Sequence, residues 1–194
     1  MTTAAPPSGV KASARERLLD AASELFYQEG VQCVGIDRVI EHAGVAKASL
    51  YNTFGSKEEL VHAYLLRRHA GTAARITAAV AKHRTPRAQL LAVFDSQAEA
   101  MRVPGFRGCA FTSASAEARP GGLVDADTTA YRAWFRELFT DLATRGRARH
   151  PATLGHQLHL LYDGAAQSGN LDHDPAAAIA ARAAALTLWE AATG

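Results

Sequence analysis

Residues 36–60 read IDRVIEHAGVAKASLYNTFGSKEEL, and this stretch decides the fold of the first part of the chain. Its apolar residues Ile36, Val39 and Ile40 recur at helical spacing, which predicts a short helix. Gly44 follows that helix, and glycine is the residue for which a left-handed turn costs least, because it has no Cβ. The pattern therefore predicts a short helix that is closed by a tight turn.

A second short helix is predicted immediately after the turn, over about 47–53. It would present Lys47, Ser49 and Asn52 to the outside, while Leu50 faces the core. A helix, a glycine-containing turn and a short polar helix together form the helix-turn-helix pattern, whose second helix enters the major groove of duplex DNA. The sequence therefore predicts a DNA-binding element.

Further helices are predicted on both sides of this element. Ahead of it, SARE at 13–16 has the pattern of a capping box, and an amphipathic helix follows as far as Gly30. Behind it, SKEE at 56–59 is a second capping-box pattern and begins a long helix that reaches about Lys82. The first part of the chain is thus predicted to be three helices followed by a long connecting helix.

This arrangement resembles the N-terminal domain of the TetR (tetracycline-repressor) family of transcription regulators. The matching residues are ELFYQEGV at 24–31, GIDRVIEHAGVAKASLYNTF at 35–54 and GSKEEL at 55–60. The close resemblance covers about the first quarter to third of the chain. It implies an all-α fold with a small DNA-binding domain and a larger helical domain that binds a small effector and forms a homodimer.

Helix signals continue through the rest of the chain, and alternating strand patterns are nearly absent. We expect about nine helices in all, the later ones over 86–102, 109–118, 124–147, from Pro151 to a break at Gly169-Asn170, and from Asp174-Pro175 to about 192. The predicted organisation is a disordered arm over 1–10, a helix-turn-helix domain over 11–55 and a ligand-binding and dimerisation domain over 56–194.

Composition agrees with an ordinary globular protein, with 194 residues, 48% hydrophobic and 21% charged. The net charge of +2 does not by itself predict nucleic-acid binding, but its distribution is uneven. Residues 1–85 carry a net +3 and all four lysines, whereas residues 86–194 carry −1. This basic bias fits phosphate contact, with chance clustering as the alternative.

The cysteines and the apolar runs of the sequence limit the possible location and chemistry of the protein. The two cysteines, Cys33 and Cys109, are far apart and form no CxxC pattern, which argues against a disulfide framework or a structural zinc site. No apolar run approaches the ~20 residues that span a bilayer, and the first residues do not have the pattern of a secretory signal. We therefore expect a cytoplasmic protein with no membrane partner.

The second short helix supplies most of the residues that we expect to contact DNA. Lys47 can reach a phosphate or a guanine edge, and Ala48 can touch a thymine methyl group. Ser49 and Asn52 can hydrogen-bond to bases or phosphates. The resemblance to TetR regulators implies phosphate contacts for Tyr51 and Lys57. The alternative is that Tyr51 and Asn52 only pack or cap the helix.

One departure from the TetR pattern precedes the first short helix. Many TetR regulators carry threonines at this position, where they cap the helix and contact the DNA backbone. Here the stretch reads Val34-Gly35-Ile36. We therefore expect the contacts at Gly35 to be weaker or to come from main-chain N–H groups. Lys11 and Arg15, near the start of the first helix, can add positive charge.

Aromatic residues are concentrated in the middle of the predicted second domain. A mostly apolar cavity with a few hydroxyl groups would suit a hydrophobic or aromatic effector. The candidate effector-binding residues are Phe94, Met101, Phe106, Phe111, Ser115, Tyr131, Trp134, Phe135 and Tyr162. Ordinary core packing is the alternative role for each of them, because any helical bundle needs such a core.

The last two predicted helices are rich in small residues, which allow helices to approach closely. Two such helices from each subunit would form a four-helix bundle. The candidate dimer residues are Leu158, Ala165, Ala166, Ala184 and Leu188. Alanine-rich helices in a monomer are the alternative, although a monomer would reach only one DNA half-site.

Other chemistry is weakly indicated. His156, His159 and Asp163 share a helix face at metal-binding spacing, but a solvated or dimer-facing polar strip is the favoured interpretation. Cys109 is more simply a buried thiol than an oxidation sensor. Neither a nucleophile with its base nor a phosphate-binding loop is found, so we expect no catalytic residues, no metal and no cofactor.

The sequence thus predicts a dimeric, ligand-responsive transcription regulator, with repression as the family-level expectation. Two copies of the 47–53 helix would read a palindromic operator. The alternative is a sensor or interaction protein of the same fold that responds to redox or metal, or that lacks specific DNA binding. The effector, the operator, the sign of regulation and the choice between a dimer and a pair of dimers on DNA stay open.

Overall fold

The computed structural model describes residues 12–194, so the predicted arm over 1–10 and Lys11 lie outside the described residues. Within that range the chain folds entirely into helices and the loops between them. Its nine α-helices are α1 (Ala14–Glu29), α2 (Ile36–Ala43), α3 (Lys47–Phe54), α4 (Lys57–Val80), α5 (Pro86–Met101), α6 (Ala110–Glu117), α7 (Leu123–Arg145), α8 (Pro151–Leu171) and α9 (Ala176–Thr193).

Two compact units divide the chain, and the first of them ends at Val61. In this unit α1 packs against α2 and α3, and α2 packs against α3. The predicted capping box forms: Ser13 N donates to Glu16 Oε2 at 2.8 Å, and Glu16 N donates to Ser13 Oγ at 3.2 Å. The buried core of the unit includes Leu18, Ala22, Leu25, Phe26, Val34, Val39, Ile40 and Leu50.

The helix-turn-helix forms where the sequence predicts it. Gly44 ends α2 in the left-handed conformation, with φ 60° and ψ 43°, and its N–H donates to the carbonyls of Glu41 and Ile40. A side chain with a Cβ would be strained at this φ. The turn then leads into α3, which ends at Phe54, one residue beyond the predicted end.

Two arginines of α1 hold the helix-turn-helix in place. Arg17 Nη1 donates to Gly44 O at 3.0 Å and lies 3.4 Å from Ala43 O, so it satisfies carbonyls that the end of α2 leaves free. The guanidinium of Arg15 lies over the Phe54 ring, 5.5 Å from its centroid, at cation–π distance. The orientation of α3 is therefore fixed from α1 as well as through the turn.

The second unit runs from His62 to Gly194. In it α8 packs against both α7 and α9, α5 packs against α7, α8 and α9, and α6 packs against α7. The largest fully buried side chains of this unit are Tyr64, Phe94, Phe135, Phe139, Leu65, Ile76, Leu90, Leu142 and Leu158. None of the helices within 12–194 has both the length and the apolar character needed to cross a bilayer.

The predicted break at Gly169-Asn170 is wrong, because α8 continues to Leu171. Gly169 is buried within the helix, and a Cβ placed on it would lie 3.0 Å from Met101 Sδ. The glycine therefore allows a close approach of α8 and the end of α5. The chain leaves α8 two residues later. Asp174, one residue before the N-cap Pro175 of α9, accepts a hydrogen bond from Ala176 N at 2.8 Å.

Candidate DNA interface and effector site

Helix α3 has one buried side and one exposed side. Leu50 is fully buried and anchors the helix on the core of the first unit. Tyr51 keeps 47% of its surface exposed, and Lys47, Ala48 and Asn52 are also exposed. Ser49 is half-buried. The predicted DNA-contacting residues of α3 thus share an outward surface, which we call the α3 outer face.

Lys47 is held by an acidic neighbour on α2. Its Nζ donates to Asp37 Oδ1 at 2.8 Å, and both side chains are largely exposed. The hydrogen bond and the negative charge of Asp37 raise the pKa of Lys47. Lys47 therefore stays protonated at neutral pH, but a carboxylate competes with a phosphate for its ammonium group.

We expect the variant Asp37→Asn to bind non-specific duplex DNA more tightly, by up to about 5-fold, because an exposed ion pair of this kind is weak and easily given up for a phosphate contact. The substitution removes one negative charge near the phosphates and releases Lys47. Filter binding or fluorescence anisotropy in a salt series measures the effect, which should shrink as salt rises. Unchanged or weaker binding at low salt would show that Asp37 does not oppose phosphate contact.

The two other predicted DNA-contacting positions lie at helix starts. Gly35 is the N-cap residue of α2, with φ −75° and ψ 156°, and it supplies no side-chain hydrogen bond to the helix. Lys57 is the first residue of α4 and is half-buried. Before it, Ser56 Oγ accepts a hydrogen bond from Glu59 N at 3.1 Å, as the capping pattern predicts. Main-chain N–H groups are thus the polar groups that Gly35 can offer.

In the second unit the structure brings the predicted aromatic residues together around Phe135. The ring centroid of Phe135 lies 4.8 Å from Trp134, 5.2 Å from Tyr131 and 4.4 Å from Tyr162. Tyr131 in turn stacks on Phe111, with 3.9 Å between centroids and 9° between planes. We call these five side chains, with Phe94 and Phe139, the aromatic cluster.

A polar face of α4 adjoins the aromatic cluster, and the sequence analysis missed it. His69 meets Phe111, Tyr131 and Trp134 edge-on, at centroid distances of 6.4, 5.3 and 5.7 Å. One turn later Thr72 hydrogen-bonds to Tyr131. Another turn on, Arg75 Nη1 donates to Ser96 O at 2.7 Å, and the Arg75 side chain also bonds the Ser96 and Tyr162 hydroxyl groups. The i, i+3, i+6 spacing of these residues was the available signal.

The remaining predicted effector residues take separate positions. Met101 is buried at the end of α5, and Phe106 is half-buried in the turn that precedes α6. Ser115 is half-buried, and its Oγ lies 2.8 Å from Thr128 Oγ1. The candidate redox residue Cys109 is half-exposed at the N-cap of α6, close enough to Tyr131 and Tyr162 to act on them electrostatically.

The interpretation of His156, His159 and Asp163 as a solvated or dimer-facing strip is wrong for His159. Its side chain is 1% exposed, and its ring stacks on Phe135 with 7° between the planes. The buried face of α8 includes His159 together with Leu154, Leu158 and Tyr162, and a neutral imidazole ring can pack on an aromatic face. Asp163 instead pairs with Arg132, at 2.6 Å. His156 is exposed.

Burial leaves His159 poorly able to accept a proton. Desolvation lowers its pKa below the ordinary value of about 6.5, and the charges of Arg132, Arg136 and His156 act in the same direction, against Asp163. Among the described residues its Nε2 has no hydrogen-bond partner, and it lies 3.5 Å from Asp163 Oδ2, beyond good hydrogen-bond distance for this pair. The imidazole is therefore neutral at neutral pH.

This lowered pKa predicts a pH dependence of stability. The unfolded chain takes up a proton at this residue at a higher pH than the folded chain does, so the free energy of unfolding falls as the pH is lowered through the ordinary histidine pKa of about 6.5. We expect His159→Phe to flatten that fall, as measured by urea unfolding at each pH. His83→Gln, at an exposed histidine, is the control. Equal slopes for His159→Phe and the parent would contradict the assignment.

The predicted dimer residues are distributed between the interior and the surface. Leu158 and Ala165 are buried within the protomer, so they support the core of α8. Ala166, Ala184 and Leu188 are partly exposed. The largest exposed apolar side chains of α8 and α9 include Leu160, Leu171 and Ile179, at 52%, 65% and 54%, and the sequence analysis did not select them.

In the part of the chain that the structure describes, no group of three or more His, Cys, Asp or Glu side chains is placed to hold a metal ion. His62 and Asp127, which the sequence analysis also missed, form a pair at 2.8 Å between Nδ1 and Oδ2. Asp127 is buried and His62 is half-buried, so this contact ties α4 to α7.

Comparisons with known proteins agree with the geometry of the first unit. The sequence profile of "Bacterial regulatory proteins, tetR family" matches residues 18–64. The HTH-type transcriptional activator FasR of Mycolicibacterium smegmatis is 47% identical over 53 residues, which are 27% of this chain and 24% of FasR. The matched segment thus spans about a quarter of that curated relative.

Two solved structures match nearly the whole chain. SCO4454, a TetR-family transcriptional regulator from Streptomyces coelicolor, is 35% identical with a TM-score of 0.88, over 93% of this chain and 96% of that one. A TetR-type regulator from Streptomyces avermitilis is 32% identical with a TM-score of 0.84, over 93% and 98% of the two chains.

The fold, the α3 outer face and these matches define a helix-turn-helix DNA-binding transcription regulator. The chain belongs to the TetR family. The matched relatives are transcriptional regulators, and none of the names given above is that of an enzyme.

Proposed function

We propose that this protein is a dimeric, ligand-responsive transcriptional repressor that binds a palindromic operator through α3. The observation that supports this proposal most is the α3 outer face, which consists of Lys47, Ala48, Ser49, Tyr51 and Asn52. Buried Leu50 anchors the opposite side of the helix on the core of the first unit. Lys47 and Tyr51 contact phosphates or base edges, and Lys57 and the N–H groups near Gly35 add phosphate contacts. Acting on chromosomal operators places the protein in the bacterial cytoplasm.

Repression is the direction that we favour, although the matched relative FasR is described as an activator. The same interface can serve either purpose, because the position of the operator relative to the promoter decides the outcome. Footprinting on the protein's own upstream region tests the proposal. It should reveal two protected half-sites whose centres are about one helical turn apart. A single protected half-site would contradict the palindromic operator.

Dimer formation is supported by the exposed apolar side chains of the last two helices. Ile179 on α9 and Leu160 on α8 are each about half exposed, and Ala184 and Leu188 are partly exposed. Covering such side chains removes apolar surface from water and favours association. We propose that α8 and α9 of two protomers form a four-helix interface.

The variant Ile179→Asp is expected to be monomeric at micromolar concentration, because it places a charge in an apolar interface. Analytical ultracentrifugation measures the change. Ile179 is exposed in the protomer, so the fold should survive the substitution. Leu66→Asp, at a similarly exposed leucine of α4, is the matched control and should stay dimeric. A dimeric Ile179→Asp variant would remove α9 from the interface.

Effector response is supported by the aromatic cluster and by the polar groups beside it. We propose that an effector binds there and favours a conformer in which the two α3 helices do not match the operator spacing. Helix α4 contains residues of both units and is the segment that we expect to carry the change. Linkage requires that DNA weaken effector binding by the same factor. An effector that leaves operator affinity unchanged would contradict this part of the proposal.

A second candidate function, redox sensing, rests on Cys109. This thiol is half-exposed at the N-cap of α6, beside the phenols of Tyr131 and Tyr162. A half-exposed thiol is accessible to peroxide, and its oxidation would add polar atoms at the start of α6. If this function is real, peroxide should change operator binding in the parent and not in Cys109→Ser. An equal response in both proteins, or none in either, leaves the ligand-responsive function as the proposal.

A further inference from the structure

The interior of the second unit contains a cation that the aromatic cluster does not require. Arg75 is half-buried on the inward polar face of α4, between Ser96 on α5 and Tyr162 on α8. An aromatic core needs no guanidinium, and a charged group is costly to hold away from water unless it is paired. The position of Arg75 therefore calls for a chemical explanation.

The acceptors around Arg75 are neutral. Its Nη1 donates to Ser96 O at 2.7 Å and to the Ser96 hydroxyl, and its side chain also donates to the Tyr162 hydroxyl. Burial raises the pKa of Tyr162 to about 12 and raises that of Tyr131 as well. Both phenols therefore remain protonated and cannot neutralise the guanidinium. The groups that accept hydrogen bonds from Arg75 in these contacts are a carbonyl and two hydroxyl groups, and none of them carries a negative charge.

The surroundings of Arg75 suit a flat apolar group. Tyr131, on which the charge of Arg75 acts, stacks on Phe111, and His69 approaches both rings edge-on. Trp134 also meets the His69 ring, with 5.7 Å between centroids. An aromatic ligand that binds here would replace some of the contacts between these protein rings by contacts with its own ring.

The residue after Ser96, Gln97, has one unpaired side-chain atom within the described residues. Gln97 is 4% exposed, and its Nε2 donates to the main-chain carbonyl of Tyr162 at 2.7 Å. Its Oε1 is buried and makes no hydrogen bond within the described residues. A buried acceptor without a protein donor is unusual in a folded protein and is commonly satisfied by ordered water.

We propose that this interior site binds an aromatic carboxylate. The carboxylate accepts hydrogen bonds from the Arg75 guanidinium and the Tyr162 hydroxyl, and the aromatic ring packs among Phe111, Tyr131 and Trp134. A carboxylate supplies the charge that the site lacks and matches the fork of guanidinium donors. The inference rests on the proposed effector response, because it names the chemical class of the effector for that site.

The test compares 2-naphthoate with 2-naphthamide, two ligands of nearly equal size that differ in charge. Binding to the full-length protein is measured by calorimetry and by fluorescence, for which Trp134 is a local reporter. We expect the carboxylate to bind at least about tenfold more tightly than the amide, since hydrogen bonds to ionised groups are roughly twice as strong as neutral ones. The variant Arg75→Gln should lose this preference and keep its affinity for the amide.

Two further variants keep the test sharp. Arg182→Gln removes the same charge at a guanidinium that pairs with Asp95 at 2.6 Å, and it should retain the full preference for the carboxylate. If Arg75→Gln fails to fold, as judged by circular dichroism, Arg75→Lys takes its place. It retains the charge without the planar fork, and its preference should be smaller than that of the parent.

Equal affinities of the parent for the two ligands would overturn the proposal, as would an undiminished preference in the folded Arg75 variant. No binding of 2-naphthoate up to about 10 mM would overturn it as well. Release of operator DNA is scored separately. Binding of 2-naphthoate without release would support the carboxylate site and contradict the effector response at that site. Release of DNA only by molecules that lack an anionic group would support the effector response and contradict the carboxylate site.

Discussion

Replacing Lys47 and Tyr51 together by alanine is expected to lower operator affinity by about tenfold or more, because the loss of about 1.4 kcal/mol in contacts already produces that factor. Lys47 and Tyr51 project from the α3 outer face, and neither side chain is needed for the core, because both are exposed. The loss should therefore fall on DNA binding and leave the free energy of unfolding nearly unchanged.

Two measurements separate this effect from general loss of charge. Fluorescence anisotropy in a salt series should give a shallower dependence of affinity on salt for the double variant, because fewer phosphates are contacted. Lys82→Ala, at an exposed lysine beyond the end of α4, removes one positive charge elsewhere and should bind almost as the parent does. If the double variant keeps full affinity, another surface must meet the DNA.

The variant Phe135→Ala should reduce the free energy of unfolding by about 3–5 kcal/mol, the usual range for deletion of a buried aromatic side chain. Phe135 is fully buried and contacts rings on α7 and α8, including Phe139, His159 and Tyr162. Its removal leaves a cavity lined by rigid rings, which limits how far the surroundings can collapse. The free energy of unfolding is measured without effector, so it reports the role of Phe135 in the core and not its candidate role as an effector contact.

Urea unfolding, followed by circular dichroism, measures this change. Phe135→Leu should cost clearly less than Phe135→Ala, because it refills part of the cavity. Leu171→Ala, at a residue that is 65% exposed, is the control and should change the free energy of unfolding by about 0.5 kcal/mol or less. A loss below about 1 kcal/mol for Phe135→Ala would show that the cluster is loosely packed and already accommodates a gap.

Much of the fold could be predicted from the sequence because the residues that begin and end a helix lie next to those ends in the chain. Ser13 with Glu16 starts α1, Gly44 ends α2 and Asp174 starts α9, and each signal lies within a few residues of the contact it makes. The helix-turn-helix is likewise a short-range pattern. Its prediction therefore required no knowledge of distant residues.

The groups that were missed depend on contacts across long stretches of chain. Arg17 reaches the carbonyl of Gly44, 27 residues away, and Gln97 reaches that of Tyr162, 65 residues away. A polar residue gives no local sign that such a partner exists. His159 was placed on the wrong side for the same reason, since its partner Phe135 belongs to another helix. Gly169 was interpreted as a helix end because its close approach to Met101 is also tertiary.

Sequence-specific DNA binding through α3 is tested by titration of the purified protein against its own upstream duplex. The titration is run across a salt series with an excess of non-specific competitor. We predict tight binding that survives the competitor and weakens with salt along a slope expected for several phosphate contacts. Weak binding that the competitor abolishes, both for this duplex and across a genomic library, would contradict the account.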